Sequence, residues 1–380
     1  MKMRKNNLFL IIILPTFLSA DYSWERSAAE SLVEGGIQAL YNYEFESAIT
    51  MLDSAWKKDN THPLIPFVLI SAKWLKTQTQ EGYTASYDMI NYEVEKTVPI
   101  YTALLEKYPA DPEVYLYLGS TYGIRARTAM ASKEWLNVLF YGYKGLKYVR
   151  KAHNMDKNLI DVYMPIGLME YFSCLSPAPV RWAAKITGLT TDCDVGLQYL
   201  NSAALEAQYS WIEASNVLSY AYLHILRDYG QCRKIIEPLT EQFFGHPFFA
   251  FMRAELLAKT GRWDEFQVMI PRLEKFAMSG PFLQRNECQL KLAYLRGLEA
   301  FYHGNYSESL EKTNWVLENY HMEFDWLRGF AYLLQGQSYD MLGERNLAKR
   351  AYKQVLKMDN YYPEVVEAKA YLNHPFNIQN

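Results

Sequence analysis

The chain has 380 residues, half of them apolar, and a formal charge of −3 spread without long runs of one sign. A single compact domain rarely grows beyond roughly 250–300 residues, so this length implies two domains or one elongated array. The charge balance lacks the basic footprint that DNA or RNA requires, which excludes nucleic acid as an expected partner, and 31 tyrosines are more than an ordinary core needs, so some rings are expected to line a surface.

The first twenty residues read as a transport signal. Lys2, Arg4 and Lys5 form a basic head, LFLIIILPTFL an apolar run, and Leu18-Ser19-Ala20 ends on a small residue before Asp21. That order predicts a secretory signal peptide over 1–20. The run is shorter than a spanning helix and is interrupted by Pro15. No cysteine follows Ala20, so no lipid attachment is expected there. The expectation is an exported, soluble protein of a bacterial periplasm, with at most peripheral membrane contact.

From there a recurring pattern runs down the chain. GGIQALYNYEFESAITMLDSAWKKDN places Gly36, Ala39, Phe45, Ala48, Leu52 and Ala55 at the spacing of two short antiparallel helices. EVYLYLGSTYG offers Leu118, Gly119 and Tyr122, but its partner helix YGYKGLKYVRKAHNMD waits until after ASKEWLNVLF, which predicts a first helix extended by several turns. Weaker copies run through Leu226, Gly230 and Ile235, then through Ala254, Leu257, Gly261, Trp263 and Phe266, where Pro271 is expected to shorten or kink the second helix. Clear copies return at Gly297, Ala300, Gly304, Tyr306, Ser309 and Val316, and at Gly336, Tyr339, Gly343, Ala348, Tyr352 and Asp359. Small residues stand where the helices cross, a glycine turns the chain, and aromatic rings fill the gap. Proline-bearing links at Tyr108 to Pro112, Gly245 to Pro247 and Tyr361 to Pro363 hand one unit to the next.

This pattern resembles the tetratricopeptide repeat. The resemblance implies an all-α, tetratricopeptide-type α-solenoid, a right-handed superhelix of about eight helical hairpins, with Val365 to Leu372 as closing cap. Residues 21–211 then carry long-helix repeats and 212–380 the more regular ones.

One stretch breaks the pattern. Tyr163 to Phe172 reads as a first helix and Asp194 to Ala207 as its second, so residues 173–193 are an insertion in the turn between them. Pro177 and Pro179 end the first helix, PVRWAAKI makes a short helix, Gly188 closes it, and Thr190, Thr191 or Asp192 caps the next. Through Gly167, Leu168, Leu175, Pro177, Gly188, Asp192, Gly196, Leu197 and Leu200 this segment is similar to the inclusion-body-clearance proteins of yeast and related animal tetratricopeptide proteins. It departs from them at Thr191-Asp192, where they carry Gly-Asp, and in bearing a signal peptide. The resemblance implies an adaptor without catalysis and transfers no partner.

Signatures of chemistry are missing from the sequence. There is no His-x-x-x-His, Cys-x-x-Cys, Gly-x-Ser-x-Gly or phosphate loop, so no enzyme, cofactor or metal is expected. Asp192 and Asp194 suit a helix start better than a metal, and His62 and His246 stand at repeat junctions before prolines. Lys144, Lys147, Arg150 and Lys151 read as one solvated helix face. Arg181 and Trp182 in the insertion could contact an anionic lipid or a partner chain. Cys174 and Cys193 lie at facing helix ends and form either a disulfide or two buried thiols; Cys232 and Cys288 are expected free.

First-helix residues expected to face a concave groove include Tyr171, Tyr220, His224, Arg227, Phe251 and Phe301, with Met164, Leu168, Phe248, Tyr294 and Leu298 beside them. An aromatic wall with few charges suits an extended apolar peptide or stacked sugar rings; alternatively, those rings pack on one another and fill the groove. The functional expectation is a protein-interaction adaptor or scaffold with a protein or peptide partner. Its alternatives are a structural subunit of an envelope assembly bound through its outer surface, or a glycan-binding module.

Overall fold

The computed structural model describes residues 22–358 and 362–377. The leader over 1–20, the repeat position Asp359 and the junction residue Tyr361 lie outside the described residues. Among those described there are eighteen α-helices and no strand.

The helices pair in chain order as antiparallel hairpins. They are α1 (Tyr22–Tyr41) with α2 (Phe45–Lys58), α3 (Leu64–Gln80) with α4 (Tyr83–Lys107), and α5 (Pro112–Ala131) with α6 (Trp135–Met155). Next α7 (Tyr163–Leu175) pairs with α9 (Cys193–Glu206), with the short α8 (Ala178–Ile186) inserted between them. Then α10 (Trp211–Tyr220) pairs with α11 (Tyr229–Gln242), and α12 (Pro247–Lys259) with α13 (Trp263–Met278). The last pairs are α14 (Phe282–Tyr302) with α15 (Tyr306–Glu318) and α16 (Trp326–Met341) with α17 (Arg345–Val355), closed by α18 (Pro363–Asn373). This is an all-α solenoid of eight tetratricopeptide-type hairpins, each burying its apolar faces on its neighbours.

Close helix approach explains the small residues. A Cβ on Gly167 would stand 2.9 Å from the Gly196 carbonyl oxygen, and one on Gly196 would stand 2.6 Å from the Tyr171 backbone nitrogen. The crossing of α7 and α9 therefore tolerates no side chain at either position. Gly119 and Gly145 meet in the same way in the α5–α6 hairpin.

Three local features depart from the sequence expectation. Helix α13 continues through Pro271 to Met278, so the proline does not shorten it. The lengthening of the third hairpin is shared, since α5 has 20 residues and α6 has 21. The first helix of the fifth hairpin ends in a π-helical turn, Ala221–Ile225, followed by Arg227 in the left-handed region at φ 54°.

The array is wound tightly enough for distant repeats to touch. Helix α3 packs on α14, Gln38 Nε2 donates to the Gln242 carbonyl at 3.2 Å, and Asn42 Oδ1 accepts the Gly245 N–H at 2.9 Å. The N-terminal and C-terminal repeats are thus joined directly as well as through the chain between them.

Candidate functional site

The inner wall is where the expected groove residues can be checked. Tyr220, His224, Arg227 and Phe251 do come together, with two of them buried and Tyr220 and Arg227 half-buried. His224 and Phe251 are buried, and the His224 ring lies 4.7 Å from Tyr220, 5.7 Å from Trp326 and 5.1 Å from Phe330. The Tyr220 hydroxyl bonds to that of Tyr362. Arg227 holds Glu367 through both guanidinium nitrogens, at 2.6 and 2.9 Å, and Glu364 at 3.1 Å. Residues at the middle of the chain thus grip the capping helix α18.

Burial dominates the electrostatics of this cluster. It drives the His224 pKa well below the usual imidazole range, helped by the Lys259 and Arg227 charges, so this histidine is neutral at pH 7. It raises the Glu255 carboxyl despite Lys259 at 3.3 Å. The remaining cavity beside His224, Glu255, Tyr294 and Trp326 has a volume of 10 Å³, room for about one water molecule. No peptide side chain or sugar ring fits there.

The other two groove candidates sit elsewhere in the core. Tyr171 is fully buried against the α9 backbone and the Phe172 ring. Phe301 packs between Tyr306 and Phe376 at 5.5 and 5.8 Å. The rings expected to line an open wall therefore pack within the protein.

Further inner contacts close the wall. Arg127 of α5 makes a two-pronged ion pair with Glu323, 2.6 Å on each arm, and stacks 4.7 Å over Trp74. The Tyr87 hydroxyl bonds to the same carboxylate and that of Tyr83 to Glu287. His246 Nδ1 accepts the Phe249 N–H at the start of α12, and its ring stacks on Phe249 at 3.6 Å with Tyr43 across it at 4.8 Å. Its junction role is thus structural, and burial holds it neutral too.

The insertion at 173–193 is organised differently. Cys174 and Cys193 are joined by a disulfide, with Cα atoms 5.4 Å apart. Buried Glu170 accepts the Thr190 and Thr191 N–H groups at 3.0 and 2.8 Å and the Thr190 hydroxyl at 2.9 Å. Asp192 caps α9 by accepting the Asp194 N–H. Arg150 donates to the carbonyls of Thr187 and Gly188 at the end of α8. Helix α8 itself has no fully buried residue, and only Ala183 and Ala184 are half-buried. Trp182 is 68% exposed, and Arg181 donates to the Ser176 carbonyl.

Sequence reasoning missed two surfaces. The tip of the α5–α6 hairpin exposes Trp135, Leu136, Leu139, Phe140 and Tyr143. The signal was present as five apolar residues on one face of a helix, in a stretch read only as a spacer. The second is an outer crevice of 540 Å³ lined by Leu292, Ala293 and Arg296 of α14 and Lys312, Trp315 and Glu318 of α15.

Nucleophiles and metal ligands are not gathered at any of these places. Cys232 and Cys288 are buried free thiols whose pKa values burial pushes up to about 12. Among the described residues no three His, Cys, Asp or Glu side chains are grouped to hold a metal, and no helix is long and apolar enough to cross a membrane.

No protein-family model and no curated protein matches the chain. Among solved structures it is similar to yeast Tom70, at 13% identity over 92% of this chain and 88% of that one, with a TM-score of 0.31. At that identity and score the likeness carries no argument about function, and the fold rests on the helix pairing described above.

Proposed function

We propose that the chain is a non-catalytic scaffold, exported to the periplasm, that holds a protein segment on its outer face instead of in its concave wall. The observation that carries this reading is the closure of the wall by the chain's own ion pairs, Arg127 with Glu323 and Arg227 with Glu364 and Glu367. A partner that entered there would have to displace these half-buried ion pairs, which join repeats far apart in the chain. The crevice between α14 and α15 offers a different kind of surface. It combines the half-exposed Trp315 with Arg296, Lys312 and Glu318, an aromatic anchor ringed by charges of both signs.

Two features support the absence of catalysis. The buried ionisable pair His224 and Glu255 adjoins a cavity the size of a water molecule, and thiols held protonated by burial are poor nucleophiles. The resemblance of residues 163–200 to non-enzymatic adaptors agrees with this reading. Export is supported by the basic, apolar and small-residue order of positions 2 to 20.

Photo-crosslinking in the native host separates the two faces. With the crosslinker at Ala293 or Lys312, discrete adducts to an envelope protein are expected; with it at Tyr294 or Phe301, only intramolecular products. Partner adducts from Tyr294 or Phe301 and none from the crevice would overturn the reading. Amino-terminal sequencing of the same preparation is expected to start at Asp21, and an intact Met1 would remove export from it.

A further inference from the structure

Two consecutive hairpins meet at one edge of the array and leave that edge apolar. The α5–α6 turn and the α7–α8–α9 insertion both join a first helix to its second, so they lie on the same side of the solenoid. Arg150, in the C-terminal half of α6, holds the end of α8 against that helix. Helices α5 and α6 are each seven residues longer than α7 and α9, a difference of about 10 Å at 1.5 Å per residue, so their tip projects. On that tip Trp135, Leu136 and Phe140 are 62, 84 and 58% exposed, and on α8 Trp182 and Ile186, one turn apart, are 68 and 66% exposed. Apolar surface of this extent on neighbouring elements marks an interaction site.

The charges around it are of one sign. Residues 135–155 and 173–191 contain no Asp or Glu, although the chain as a whole has 42. They contribute Lys144, Lys147, Arg150 and Lys151 from α6 and Arg181 and Lys185 from the insertion. Lys147 continues the apolar face of α6 one turn beyond Tyr143, and Lys185 adjoins Ile186. The carboxylates that flank these stretches in sequence are Glu134, which accepts from Asn137, Asp156 at the far end of α6, Glu170, which accepts from Thr190 and Thr191, and Asp192 and Asp194 at the start of α9.

We propose that this edge docks on the surface of an anionic lipid bilayer. Trp135, Leu136, Phe140, Trp182 and Ile186 enter the boundary between headgroups and acyl chains, while Lys147 and Lys185 meet the lipid phosphates. The surface projects, and neither the crevice between α14 and α15 nor the small cavity beside His224 includes any of its residues; protein hot spots sit in pockets, whereas a projecting set of Trp, Phe and Leu with flanking lysines suits a planar interface. A helix as short as α8 binds weakly alone. Here the disulfide and Glu170 hold it on the α7–α9 hairpin and Arg150 holds its end against α6, so its exposed residues act together with those of α6. Those fixed ends explain why the chain orders a helix with no fully buried residue.

The test is flotation of the chain from Asp21, which contains every described residue, with vesicles of phosphatidylcholine alone or with one-third phosphatidylglycerol. Binding is expected to the phosphatidylglycerol vesicles and to weaken with salt. Trp135→Ser, Phe140→Ser and Trp182→Ser together are expected to lower it about tenfold or more, with an unchanged circular dichroism spectrum. Lys147→Glu with Lys185→Glu is expected to abolish the preference for anionic vesicles. The proposal is overturned by wild-type protein that does not float, by equal binding to both vesicles, or by binding that survives the triple serine variant. It is also overturned if, without vesicle binding, that variant loses self-association or a crosslinked envelope protein, since the occupant is then a second copy or a protein. None of these outcomes touches the crevice between α14 and α15, so this inference and the scaffold reading fail separately.

Discussion

The inner wall and the edge at α6 and α8 are built from the same residue types, Trp, Tyr, Phe and Leu with basic neighbours, and they end in opposite states. On the wall, each cation has a carboxylate waiting far along the chain: Arg127 meets Glu323, and Arg227 meets Glu364 and Glu367. At the edge the cations of α6 and α8 stand in stretches without carboxylates, and the rings stay exposed. Aromatic content therefore does not identify a binding surface in a helical array. What decides is whether the winding of the array brings a partner for each charge.

The largest effect that would break this contrast is on the rings expected to line the wall. Replacing Tyr171, Tyr220 and Phe301 together by alanine is expected to prevent folding, since large-to-small core changes cost about 3–5 kcal/mol each and a domain has about 5–15 kcal/mol in total. A variant that still melts cooperatively near the wild-type temperature would mean that these rings line an open groove.

Reducing the Cys174–Cys193 bond comes next. It closes a 19-residue separation, so its loss is expected to lower stability by about 3 kcal/mol, measured by urea unfolding with and without reductant. The far-ultraviolet spectrum should change little, because α8 contributes nothing to the core. Unchanged unfolding would show that Glu170 and Arg150 suffice to hold the insertion.

The buried histidines predict an acid weakness. His224 and His246 are kept neutral in the fold, with pKa values below that of the unfolded chain, so the unfolded state binds more protons and stability falls as pH drops below about 6.5. Burial raises the Glu213 and Glu255 carboxyls, which act in the opposite sense. His246→Asn keeps a capping acceptor for α12 and cannot titrate. It is expected to flatten the slope by up to about 1.4 kcal/mol per pH unit between pH 6.5 and 5.5. An unchanged slope would place the His246 pKa at its ordinary value.

The smallest stability effect belongs to the edge. Trp135→Ser, Phe140→Ser and Trp182→Ser are expected to change unfolding by less than about 0.5 kcal/mol each, whatever they do to vesicle binding. A loss of several kcal/mol would mean that these side chains are covered.

Local order was legible from the residues. Gly36, Gly119, Gly167 and Gly196 marked helix crossings, the prolines at 112 and 247 opened helices, and the insertion at 173–193 resolved into the short helix and Asp192 cap that its residues implied. These features depend on neighbours within one hairpin. The closure of the wall was not legible, because Arg127 and Glu323 are 196 positions apart and meet only after small rotations have accumulated over several hairpins. Tyr220, His224 and Arg227 converge near α18, but a π-helical turn carries Arg227 off the helix on which the spacing places all three, and whether their surface was open depended on where α18 lay. The exposed face of α6 was overlooked because ASKEWLNVLF interrupts the repeat spacing.

The most direct test of the closed wall is a double-mutant cycle on Arg127 and Glu323, with unfolding free energies for Arg127→Ala, Glu323→Ala and the pair. Two residues so far apart can couple only if the N-terminal and C-terminal repeats touch. A coupling energy of about 2 kcal/mol is expected. Additive effects, with no coupling, would show that the wall is open and would return the concave surface to the list of binding sites.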